Sequence, residues 1–551
     1  MKKLAQLWIT LCLALPGLIA HGDTTLVANI NGYSLDADRE LIQFAAIQFS
    51  DDRVDRLFSD GDSLPENVDT RIDGNGLTLI PGLIDAHGHV LNYGLSLLRV
   101  DLIGTRSEQD AVQRVVDFAA ENTELDWIQG RGWNQVLWNS NSFPSAASLD
   151  TALSDRPVWL SRIDGHAGWA NSVAIELAGV TERTEDPPGG QIIRDDDGKP
   201  TGVFVDNAMA LIRSRIPPSS TAELRFALNT SMQKLASFGL TSVHDAGAGS
   251  RVVQAYKDLL EAGPLPIRVN VMLAATDPYY EQRLAEGHFR SDDDTLTIRS
   301  VKIAADGALG SRGAALIEEY SDLPGATGLL LHNPERIEYF MRAAMNAGFQ
   351  VNTHAIGDKA NKIVLDNYQQ LIAESGTRDL RHRVEHAQVL RHEDILRFAE
   401  LGVIASIQAT HATSDKNMAQ DRLGEVRIQG AYAWRKLRDA GAVIANGSDF
   451  PVESPNPFYG LHASITRQDH GNEPAAGWFP EERMTIEEAF ASFTIDAAYA
   501  GHQENLLGTL EPGKKADFIL LDRDIFTSPV SEIWQTSVLQ TWVDGNRITP
   551  F

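Results

Sequence analysis

The sequence predicts an α/β protein whose main unit is a parallel sheet with helical crossovers, flanked by a small β-sandwich built from both chain ends. Three observations predict it. Strand-like and helix-like segments alternate from about residue 81 to 495. Short β segments separated by polar turns fill both ends. Histidines stand at the ends of several strand segments. Parallel neighbours need a crossover, normally a helix, so the alternation itself argues for a parallel sheet. Of the 551 residues, 43% are hydrophobic and 22% charged, enough apolar material for a large core and against wholesale disorder.

In chain order, residues 1–22 read as a secretory signal. Met1-Lys2-Lys3 is a short positive start, residues 4–18 are mostly apolar, and small residues precede a cut after Ala20 or Gly22. The competing reading is a membrane anchor, but the apolar run falls short of the roughly 20 residues that span a bilayer. An exported product, in a bacterial periplasm or secreted, follows. Residues 23–80 form the first part of the sandwich, with the turn pair Asn31-Gly32. Nine strand candidates occupy the middle: 83–89, 158–163, 241–244, 268–273, 300–304, 350–354, 383–386, 403–407 and 443–446. Helical periodicity lies between them, as in 222–238 and 360–374. Nine is one too many for an eight-stranded barrel, so one is miscalled or belongs to an insertion, expected at about 120–220. Residues 496–551 return to β structure, through 517–522 and the turn at Asp544-Gly545.

Composition removes some functions. The 75 acidic against 48 basic residues give a net charge of −27, which argues against nucleic acid or an anionic membrane as main partner. The single cysteine, Cys12, lies inside the leader. Disulfide frameworks and Cys-rich zinc modules are excluded. Fifteen histidines remain as metal donors.

The main signal is Pro81-Gly82-Leu83-Ile84-Asp85-Ala86-His87-Gly88-His89. Side chains two apart on a strand share a face, so His87 and His89 can address one metal. His354, His386 and Asp449 end three later strand segments. Singly, each looks like a core or loop residue. Together they fall at the carboxyl ends of successive strands, the active face of a β/α barrel.

These motifs resemble the amidohydrolase superfamily, most closely its family 3 branch of N-substituted formamide deformylase-like proteins. Further matching stretches are Gly130-Arg131-Gly132-Trp133, Asp164-Gly165-His166-Ala167, 302–312, 447–453 and the closing 508–517. The resemblance implies a distorted (β/α)8 barrel of the TIM type, over residues 81–495. It implies that His87 and His89 bind a first metal and His354 and His386 a second. It implies that Asp449 touches a metal and shuttles protons. Lys302 falls where many members carry a carboxylated lysine bridging two ions. The other reading makes Lys302 an ordinary buried lysine paired with Asp306 or Asp449, and the site then holds one ion. His and carboxylate donors favour Zn2+, with manganese, iron or cobalt as alternatives.

The expected reaction is hydrolysis of a non-peptide C–N bond in a small amide or formamide. Cyclic amides, N-acyl amino acids and esters are alternatives, and a non-catalytic binding protein is a further one. Candidate substrate contacts are Arg131, Trp133, His166, Arg312 and His411, with Trp138, Trp169, Asp306 and Ser311 beside them. An arginine here would grip a substrate carboxylate by two hydrogen bonds. The aromatics could equally pack the insertion, and the arginines could equally pair with surplus acids. Glu385 should point away from His386 and reads either as a support behind the metal ligands or as structural. His244 ends a strand without a counterpart in the metal pattern. The partner is a small molecule; no membrane anchor remains after cleavage, and a homodimer stays open.

Overall fold

The computed structural model describes residues 23–548, apart from 124, 139, 141, 163–166, 188, 189, 311 and 378. Residues 1–22, expected as a secretory signal, and His166 and Ser311 therefore lie outside the described residues. The barrel is made of β1 (Leu83–Gly88), β2 (Leu240–Ala248), β3 (Arg268–Ala274), β4 (Leu296–Ala304), β5 (Gln350–Ala355), β6 (Arg383–His386), β7 (Ile404–Gln408) and β8 (Ile444–Gly447). All are parallel and ordered as in the chain. Past the end of β8 the ring is closed to β1. Asp449 donates its N–H to the His87 carbonyl (2.7 Å), and His89 donates to the Phe450 carbonyl (2.9 Å).

The layer between the strands and the helices is apolar, with Val243, Val271, Val301, Val351 and Val384 fully buried in it, whereas the alternate strand positions carry buried polar residues such as His244, Asn352, Arg383 and Glu385. An apolar face of β-branched residues is what a strand packed against helices requires, and the period of two turns the polar residues to the interior. Eight of the nine strand candidates are barrel strands. The ninth, near 158–163, belongs to the insertion.

The insertion is a six-stranded sheet running from Val100 to Asp206. It begins some twenty residues earlier than expected. The reason is the helix Glu108–Glu121, capped by Ser107, whose stripe of Ala111, Val115 and Ala119 packs into the inserted core and not onto the barrel. That core is aromatic, with Trp133, Trp138 and Trp169 in mutual contact at 6.1–6.4 Å.

Both chain ends meet in one β unit, whose eight strands hydrogen-bond as one continuous mixed sheet. The C-terminal strand Phe518–Leu521 pairs antiparallel with Thr78–Pro81, the strand that leads into β1. Gly82 makes the step between unit and barrel, where a Cβ would stand 2.1 Å from Thr241 Oγ1. Arg268, buried at the start of β3, clamps the two parts by pairing with Asp517 (2.8 Å) and Asp544 (2.5 Å). No helix among the described residues is long and apolar enough to cross a membrane.

Candidate metal centre

The strand ends bring five histidines, Lys302 and Asp449 into one cleft of about 500 Å³ or its floor. His87 lies fully buried at the floor, and His89 begins the helix Val90–Leu97. His354 and His386 end β5 and β6, and His411 lies in the helix Ala409–Asp415 that follows β7. His386 and Asp449 take left-handed backbone (φ 76° and 59°), rare for residues with a Cβ and concentrated at functional sites.

Each ring is aimed by a partner. His87 Nδ1 bonds to Glu385, leaving Nε2 toward Lys302 Nζ (3.0 Å) and Asp449 Oδ1 (3.6 Å). His386 Nδ1 bonds to Gln408 Oε1 (2.6 Å), so its Nε2 is the free nitrogen. Fixing one ring nitrogen frees the other as a ligand. Glu385 is itself gripped twice by Arg383 (2.7 and 3.0 Å). Burial alone would raise the Glu385 pKa, yet Arg383 and His87 hold it well below the ordinary value. Burial and the nearby Lys302 push His87 down to about 4. Burial and His354 hold His386 well below its ordinary value, and burial also lowers Lys302. Burial opposes ionisation of Asp449, but His89 and His87 outweigh it and hold the carboxyl well below its usual range. Neutral imidazoles and an ionised carboxylate are the ligand forms a metal needs.

The fit to a metal rests on atoms left unsatisfied. His354 Nε2, His411 Nε2 and Asp449 Oδ1 are buried without hydrogen-bond partners. Asp449 Oδ1 lies 3.0 Å from His89 Nε2, without hydrogen-bond alignment. Buried polar atoms nearly always have partners, so a convergent set without them calls for a cation. Two three-donor groups have their ligand atoms within 4.8 Å of one another: His87, His89 and Asp449, and His386, His411 and Asp449. His354 stands outside both groups, with its ring 4.4 Å from His386 and its Nε2 3.5 Å from Asp306 Oδ1.

Other expected contacts are placed elsewhere. The Trp133 ring is closed to solvent in the inserted core, its Nε1 bonded to the Leu160 carbonyl, so it cannot touch a substrate in the cleft. Arg131 is an exposed residue of the same inserted strand and does not line the cleft. Arg312 pairs with Asp322 (2.9 Å) outside the cleft lining. Asp306 is fully buried and accepts the N–H groups of Ala315, Ile356 and Gly357, shaping the loops around His354. Lys302 has His87 as its partner, not Asp306 or Asp449.

Several contributors escaped the reading of the sequence. Asp85, inside the opening motif, accepts from His87 N (2.9 Å) and Ser448 Oγ (2.7 Å) and so spaces His87 from Asp449. Burial pushes its pKa up to about 7. A lone carboxylate in an apolar strand was the available signal. Arg383, Glu385 and His244 form one buried chain, with Arg383 Nη1 2.9 Å from His244 Nδ1. That gives the unassigned His244 a role behind the site.

A model of the amidohydrolase family matches residues 70–549. The chain belongs to the amidohydrolase family. It is 36% identical over 495 residues to protein LONG AFTER FAR-RED 3 of Arabidopsis thaliana, covering 86% of this chain and 83% of that one. It is 26% identical over 487 residues to an N-substituted formamide deformylase of Arthrobacter pascens, covering 86% and 89%. Among solved structures, a metal-dependent hydrolase from Pyrococcus horikoshii superposes with a TM-score of 0.75 at 25% identity, over 92% of this chain and 99% of that one. This amidohydrolase is a metal-dependent hydrolase, and the His and Asp groups at the barrel rim could hold a divalent metal.

Proposed function

We propose that this amidohydrolase cleaves the C–N bond of a small amide or formamide, with Asp449 as general acid and base. The observation that carries it is the Asp449 carboxylate, with Oδ1 unpartnered among the histidine nitrogens. The likeness to a formamide deformylase supports the amide class.

His87, His89, His386 and His411, with Asp449, would hold one or two ions, zinc first, and His354 stands beside them. When bound, a divalent cation polarises a carbonyl and lowers the pKa of water from 15.7 to about 7. Asp449 directs Oδ1 at His89 and His87 and keeps Oδ2, 3.9 Å from His411, for the proton. That oxygen takes the proton of the attacking water and returns it to the leaving nitrogen. Glu385 keeps His87 in the tautomer that presents Nε2. Lys302, whose ammonium burial makes easier to deprotonate, would add CO2 through its neutral amine, losing its protons to solvent and leaving a carbamate anion with two oxygens in place of a cation that would repel metal. Residues 1–22 direct export and are removed.

The test is metal analysis of the purified protein with a panel of formamides, acyl amides, cyclic amides and esters. Stoichiometric metal with turnover of formamides or amides is expected. Metal without turnover in any class would favour a binding role. Mass spectrometry of the intact protein reads the CO2 adduct on Lys302, and an unmodified amine in the active enzyme would remove the bridge. N-terminal sequencing of exported protein reads the cut, and an intact leader would refute export.

A further inference from the structure

Beyond Asp449, the cleft is lined by two more carboxylates, Asp415 and Glu453, between apolar walls that include Leu309, Ile356 and Val452. Among the described lining residues the only lysine or arginine is Lys302, and its Nζ faces His87. Three cations adjoining lining residues are already committed. Arg312 and Arg422 share Asp322, and Lys416 holds Asp469 at 2.6 Å. Asp415 is fixed in place. Its Oδ2 accepts from Tyr432 Oη (2.6 Å) and Gln388 Nε2 (2.8 Å), leaving Oδ1 uncommitted. Burial raises the Tyr432 phenol well above its ordinary value, so it stays a donor. Glu453 is tied through Oε1 to Ser414 Oγ (2.6 Å), with its other oxygen uncommitted. The buried Asp449, its Oδ1 unpartnered, faces the same cleft.

These carboxylates sort substrates by the charge of the part away from the scissile bond. An anionic tail meets two unneutralised acids. A neutral tail desolvates the free oxygen of Asp415 without pairing it. A cationic tail forms a charge-assisted hydrogen bond there. The net charge of −27 adds attraction for cations at longer range. We propose that this cleft selects amides whose amine portion carries a second, positively charged nitrogen, such as mono-N-formylated or mono-N-acylated diamines, held by Asp415 with Glu453 at the mouth. The proposal rests on the amide-hydrolase reading above.

Three compounds of matched length test it: N-formyl-1,4-diaminobutane, N-butylformamide and N-formyl-4-aminobutanoate. For the metal-loaded enzyme, kcat/KM is expected to favour the cationic compound over the neutral one by about tenfold or more, the anionic one ranking last. Calorimetric binding of the same three to the Asp449→Asn variant should give the same order. Asp415→Asn and Glu453→Gln should each bring the cationic-to-neutral ratio toward one. Should Asp415→Asn fail to fold, Glu453→Gln and the ranking by the unaltered enzyme decide. Turnover or binding in which the neutral or anionic compound equals or exceeds the cationic one overturns the proposal and leaves amide hydrolysis standing. Tighter binding of the cationic compound with no turnover of any of the three sinks the hydrolytic reading and upholds the charge preference.

Discussion

At the barrel rim, three side chains that line one cleft, His354, His411 and Asp449, each hold a buried atom without a hydrogen bond: Nε2, Nε2 and Oδ1. In the inserted sheet, three buried indoles each find a carbonyl: Trp133 that of Leu160 (2.8 Å), Trp138 that of Thr105 (3.2 Å), Trp169 that of Ser145 (2.9 Å). Both regions carry motifs that read as chemistry in the sequence. An unsatisfied buried polar atom costs about 1–3 kcal/mol, so unpaired histidine and carboxylate atoms on one cleft mark a place that a ligand would complete. The inserted aromatics are complete already, and their contribution is to packing. Satisfaction of polar atoms, more than residue type, separates the two regions.

The sharpest way to break this contrast is Asp449→Asn. Metal content should persist while kcat on a cleaved amide falls by about 10²–10⁴-fold, the usual share of a positioned acid–base group. Undiminished turnover would take Asp449 out of the mechanism. In the insertion, Trp133→Ala should destabilise folding by about 3–5 kcal/mol, read by denaturant titration, because a closed aromatic site becomes a cavity. A raised KM with unchanged stability would return Trp133 to the substrate. Glu385→Gln sits behind the rim and should weaken metal affinity about 10–100-fold, measured by competition with a chelator, through loss of the charge that orients His87. Unchanged affinity would make the Arg383–Glu385 pair purely structural.

The smallest effect is one of pH. His382 is buried against Tyr368, accepts Val351 N–H on Nδ1 (3.0 Å), and has its pKa pushed down to about 3 by burial and then by His502. The unfolded chain takes up that proton near pH 6.5 and the folded one does not. The stability it contributes is therefore present above pH 6.5 and lost as pH falls, by about 1.4 kcal/mol per pH unit between pH 6 and 4. His382→Asn, which keeps an acceptor, should flatten the measured stability–pH slope by about that amount. An unaltered slope would place the acid sensitivity in other buried histidines.

Much of this was legible along the chain. The strand and helix periods marked all eight barrel strands, and the spacing of His87 and His89 placed two imidazoles on one face. The ninth candidate strand misled because Val158–Arg162 pairs parallel with Ile128–Trp133 inside the insertion, and a buried parallel strand looks the same in either sheet. Gly-flanked Arg131 and Trp133 resembled a binding loop, but the strand they occupy turns the tryptophan into its own core.

What could be read from residues in order was periodicity, charge and the kinds of donor at each strand end, since these depend on neighbours a few positions apart. The pairing of His87 with Glu385, 298 residues away, could not be read so. Neither could the grip of Tyr432 and Gln388 on Asp415, nor the diversion of Arg312 to Asp322. Hydrogen-bond satisfaction and the charge of a cleft are properties of distances between remote residues. They exist once the barrel has closed, and they are what make the rim a site.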